Sequence, residues 1–85
     1  MNIGFLGLGK LGLPVALATE SKGHKVFGYD ISEKTINNIK NRIIDYREIW
    51  VEDYLPKTNL EILNIEQLVS KSDIIFIPIQ TPHHE

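Results

Sequence analysis

Hydrophobic residues in this chain follow two rhythms. Unbroken apolar runs at residues 3–6, 26–29 and 74–77 alternate with stretches in which apolar side chains return every three or four positions. Unbroken runs are what strands covered by helices on both faces require, and the three-to-four spacing marks helices. The pattern predicts a strand over 2–6, then a helix over 11–22 carrying Leu11, Val15 and Ala18 at helical spacing, with Ala16 and Thr19 beside them. A second strand covers 25–29. A helix with Ile36, Ile39 and Ile43 on one face follows, then a short strand at 60–63, a helix carrying Ile65, Leu68 and Val69, and a buried strand at 74–77. Residues 45–55 repeat Tyr46, Trp50 and Tyr54 every four positions and predict a short amphipathic helix. Its aromatic stripe either packs on the domain or presents a surface to a partner domain or substrate.

Punctuation residues agree with these boundaries. Pro14 falls in a first helical turn, where its missing N–H costs little. Gly23 suits a left-handed helix stop. Ser32, with Glu33 after it, and Asn64 are good N-caps, and Pro56 opens a turn. Alternating strands and helices with right-handed crossovers give an α/β fold: a partial, Rossmann-like parallel sheet of about four strands in the order 3-2-1-4, with helices on both faces. The order reverses between strands 1 and 4. Ligands bind beyond the carboxyl ends of strands there, which places residues 7–12 beside Gln80, Thr81 and Pro82.

The chemistry collects at that point. Gly7, Gly9 and Gly12 fill a G-x-G-x-x-G pattern between a strand and a helix, and Asp30 closes the second strand 18 residues after Gly12. The first glycine permits the turn, the second a close approach of pyrophosphate, and the third close packing of helix on sheet. The N–H groups of Leu8, Gly9, Lys10, Leu11 and Gly12 lie at the positive end of the helix, where a pyrophosphate is favoured. Asp30 suits the adenosine ribose hydroxyls and would repel a 2′-phosphate, so NAD is expected rather than NADP. Lys34 either reaches the ribose edge or is a solvated helix lysine. Thr81 either bonds the cofactor or caps a turn. His83, His84 and Glu85 read as a chain end rather than a metal site.

Composition narrows the rest. Eighty-five residues with a net charge of −2 give one small domain and no basic footprint for nucleic acid. Without cysteine there is neither a disulfide framework nor thiol chemistry in these residues. No signal peptide or membrane-length apolar run is visible, so a cytoplasmic location is expected. No nucleophile, general base or substrate clamp can be assembled. The chain reads as the N-terminal part of an NAD-binding domain, with the rest of that domain and the catalytic domains elsewhere.

Residues 7–18, 28–31 and 75–82 together carry a resemblance to the UDP-glucose/GDP-mannose 6-dehydrogenase family. The resemblance implies oxidation of the C6 alcohol of a nucleotide sugar to the acid with two NAD, through a thioester on a cysteine outside this chain. It also implies a homodimer in the full-length enzyme. On matching positions it implies that the backbone at Lys10 and Leu11 holds the diphosphate, Asp30 the ribose, and Thr81 lies near the remainder. Position 10 is often aromatic in that family and is lysine here; Thr35 stands where a basic residue is common. The alternatives are a 3-hydroxyacid or 6-phosphogluconate-type dehydrogenase, and a stand-alone NAD-binding interaction module.

Overall fold

The computed structural model describes residues 1–78. Four parallel strands run in the order β3-β2-β1-β4, as the crossover argument requires. They are β1 (Asn2–Leu6), β2 (Lys25–Tyr29), β3 (Glu61–Ile62) and β4 (Ile74–Phe76). β1 sits centrally, with Ile3 opposite Val26 on one side and Ile74 on the other. Helices α1 (Gly12–Ser21), α2 (Glu33–Lys40), α3 (Ile49–Tyr54) and α4 (Ile65–Lys71) connect them, with a 3-10 turn at Leu55–Lys57.

One face of the sheet carries the main core. Ile3, Phe5 and Val26 pack there with Leu13 and Leu17 of α1, Ile39 of α2, and Val51 and Leu55. On the other face α4 lies so close to β1 that a methyl group on Gly4 would collide with Leu68 and Ser72. Leu68, fully buried, fills that contact.

The caps fall where the sequence puts them. The Ser32 hydroxyl accepts from the Thr35 N–H at 3.2 Å. Asn64 and Gln67 form a reciprocal capping box at the start of α4. Gly23 takes φ +99 just beyond α1.

Three expectations fail, each for a packing reason. α1 buries Gly12, Leu13, Ala16 and Leu17, while Leu11, Val15 and Ala18 face out. Two stripes of helical spacing coexist on this helix, and periodicity alone does not choose its rotation. α2 stops at Lys40, so Ile43 is not on its face and lies 54% exposed. Arg42 takes φ 62, and the Arg42 and Ile43 N–H groups donate back to Ile39 and Asn38, closing a Schellman turn without glycine. The 45–55 helix is shorter than predicted: Glu48 accepts from the Trp50 N–H and starts α3 at Ile49. Tyr46 is therefore outside the helix, and the aromatic stripe splits. Trp50 and Tyr54 stack at 5.2 Å, while Tyr46 faces Lys10.

The third and fourth strands are also shorter than the apolar runs suggest. Ile74 and Phe76 of β4 are about half exposed. Phe76 stacks on the buried Phe5 at 5.5 Å, and among the described residues β4 is a sheet edge.

Candidate functional site

The end of β1 turns sharply at Gly7, whose φ of +131 is costly for any side-chain-bearing residue. The Gly7 N–H donates to the Tyr29 carbonyl at 2.8 Å, tying the turn to β2. Leu8 then drops its side chain into the core, 1% exposed, in the space left by Gly28. The chain emerges at Gly9 and Lys10 and enters α1 at Gly12. A Cβ at Gly12 would strike the Gly7 carbonyl, so helix and turn touch backbone to backbone. This contact fixes the rotation of α1.

Asp30 locks the arrangement. One carboxylate oxygen accepts from the Leu8 N–H at 2.7 Å and the other from the Ser32 N–H at 2.8 Å. The structure thus corrects one part of the expectation: the Leu8 N–H is committed to Asp30 and is not a free donor. Asp30 clasps the glycine turn as well as ending β2. Each carboxylate oxygen keeps a further lone pair for another donor.

What remains open lies along the outside of this turn. Among the described residues the Gly9, Lys10 and Leu11 N–H groups donate to no acceptor. A methyl group on Gly9 would meet nothing within 4 Å. A groove of about 170 Å³ runs between these residues, Asp30 and Pro78. Next to it, sharing Gly7 and Asp30, an apolar recess of about 230 Å³ is lined by Leu6, Tyr29, Ile31 and Ile65. Ile31, 90% exposed, forms part of its wall. Unpartnered N–H groups at a helix start, a carboxylate, then an apolar recess match a diphosphate, a ribose and a flat base in sequence.

A model of the UDP-glucose/GDP-mannose dehydrogenase family, NAD binding domain, matches residues 1–85. The chain belongs to that family. NAD is its cofactor, and the glycine turn with its open N–H groups fits one. Protein CapL of Staphylococcus aureus is 41% identical over 95% of this chain and 19% of its own length. UDP-N-acetyl-D-mannosamine dehydrogenase of Methanococcus vannielii is 37% identical over 91% of this chain and 18% of that protein. A crystal structure of GDP-mannose dehydrogenase from Pseudomonas aeruginosa superposes with a TM-score of 0.88 at 29% identity, covering 100% of this chain and 21% of that one. The chain spans about a fifth of the length of these relatives.

The other predicted site residues are placed as follows. Lys34 pairs with Asp45 at 3.3 Å on the surface, away from the groove. Thr81, His83, His84 and Glu85 lie outside the described residues. Lys10 projects from the turn with its ammonium 5.8 Å from the Tyr46 ring centre. Below that contact is a second cavity of about 160 Å³, between the turn, α2 and the 43–46 segment. The Tyr46 hydroxyl oxygen is buried with no hydrogen-bond partner among the described residues. Burial, then the Asp45 and Glu48 carboxylates, push this phenol above its ordinary value of 10.0, so it is neutral at physiological pH.

Two features escaped the sequence. Pairing of Asp30 with Leu8 joins positions 22 apart, and no local pattern announces it. Lys10 and Tyr46 meet only because the 41–48 segment folds back over the turn. A lysine inside the glycine pattern was the one visible hint.

Proposed function

We propose that this chain is the NAD-binding portion of an oxidoreductase that oxidises the C6 alcohol of a nucleotide sugar to the acid, with the catalytic residues elsewhere in the polypeptide. The observation that carries this is the glycine turn with its free N–H groups and Asp30 in a domain that the family model matches throughout. In this reading Gly9, Lys10, Leu11 and Gly12 hold the diphosphate through their backbone, and the remaining lone pairs of Asp30 accept from the ribose. Gly7 and Leu8 shape the turn, and the Thr81 hydroxyl is proposed as a further hydrogen-bond partner of the cofactor. NAD, when bound, supplies the hydride acceptor; these residues bind and orient it.

The substrate class proposed is a UDP-sugar. The names of several relatives, UDP-N-acetyl-D-mannosamine dehydrogenases among them, support this. A homodimer with a cytoplasmic location is proposed with it. Among the described residues no helix is long and apolar enough to cross a membrane. The test is NAD reduction by the full-length enzyme against a panel of UDP-glucose, UDP-N-acetylmannosamine and GDP-mannose. Reduction of NAD, with no reduction of NADP, by at least one of these is expected. Activity with 3-hydroxyacids alone would overturn the proposal.

A further inference from the structure

The groove beside the glycine turn has an electrostatic imbalance. Asp30 lines it with a full negative charge, and a dinucleotide diphosphate brings two more into the same small space. In so small a groove, only partly open to water, like charges repel appreciably. Free N–H groups at the start of α1 offset part of this, but they carry only partial charge. Among the described residues lining the groove, Lys10 alone is cationic.

Nothing else among the described residues uses that charge. Lys25, Lys34 and Arg47 are engaged with Glu61, Asp45 and Glu52, whereas Lys10 makes no ion pair there. Asp45, the nearest acid in the adjoining cavity, is already occupied by Lys34. Lys10 rests instead over the neutral Tyr46 ring, at the outer limit of about 6 Å for a useful cation–π contact. A contact so long holds a lysine weakly, and a phosphate is the stronger partner. Lys10 also borders both cavities, so a rotation about its flexible stem carries the ammonium from one to the other.

We propose that the Lys10 ammonium is a ligand of the cofactor diphosphate, resting on Tyr46 until the diphosphate arrives. This deepens the cofactor reading of the groove and rests on it. Lys10 thereby adds a full positive charge to a site whose other donors are backbone N–H groups, and offsets the repulsion from Asp30.

The test is titration of the full-length enzyme with NAD, ADP and adenosine, comparing wild type with Lys10→Met and Lys10→Arg. Lys10→Met should weaken NAD and ADP about tenfold and flatten their salt dependence, leaving adenosine unchanged. Lys10→Arg should stay close to wild type. If Lys10→Met binds ADP as tightly as wild type while wild type binds NAD, the Lys10 role is wrong and the cofactor reading stands. Equal weakening of ADP and adenosine would show a structural effect and also overturn it. A wild type that binds neither NAD nor ADP would overturn both readings.

Discussion

The two ends of the sheet are held by different means. At the carboxyl end, Gly7, Gly12 and Gly28 bring backbone against backbone and side chain against backbone, with the Asp30 carboxylate clasping the turn. At the amino end, where Arg42 and the residues from Thr58 to Leu60 meet the last turn of α1, side-chain hydrogen bonds hold the chain. Glu20 accepts from the Thr58 hydroxyl at 2.5 Å and the Asn59 N–H at 2.8 Å. Arg42 donates to the Ile39 carbonyl at 2.8 Å. The first construction tolerates no added atom; the second loses one replaceable bond at a time. A rigid turn keeps the open N–H groups aimed at one place, which is what anion binding requires.

The largest break in this contrast should come from Gly12→Ala. Its methyl group would strike the Gly7 carbonyl, and both positions are backbone, so neither can rotate away. A loss of about 3 kcal/mol in urea denaturation is expected, with NAD binding abolished. Gly9→Ala meets nothing in the free protein and should fold normally while binding NAD poorly, which separates the steric role from the ligand role.

Next is Asp30→Ala. It strands the Leu8 and Ser32 N–H groups, at a cost of about 2 kcal/mol, besides removing the ribose acceptor. Hydrogen exchange at Leu8 should accelerate in the variant. Unchanged protection there would show that the clasp contributes nothing.

At the opposite end the effects should be smaller. Thr58→Val and Glu20→Ala should each cost about 1 kcal/mol, and the double variant less than the sum, because both remove the Thr58–Glu20 bond. Full additivity would refute the shared network, and NAD affinity should not move in either variant. Smallest of all is the exposed Lys25–Glu61 pair at 2.8 Å. The Lys25 ammonium holds the Glu61 carboxyl below its ordinary value of 4.5. A depressed carboxylate stabilises the fold above that value and stops doing so as pH falls through the lowered one. Glu61→Gln should therefore remove a slight stabilisation that is present at neutrality and fades in the wild type as pH falls below 4.5.

The order of elements, the parallel sheet and its 3-2-1-4 arrangement, the caps at Ser32 and Asn64, the Gly23 stop and the glycine turn were all legible in the amino-acid sequence. Each depends on interactions within a few residues, or on the handedness of crossovers, and so leaves a local signature. What only the tertiary structure decided concerns choices that local patterns leave equivalent. α1 carries two apolar stripes, and the Gly12–Gly7 contact selected Leu13, Ala16 and Leu17 as the buried one. Tyr46, Trp50 and Tyr54 share a helical spacing, yet capping by Glu48 leaves Tyr46 free to meet Lys10. Asp30 was recognisable as an acid at the end of a strand. That it spends one lone pair on each of Leu8 and Ser32 was not, because the partner at Leu8 is brought to it only when β1 and β2 pair side by side.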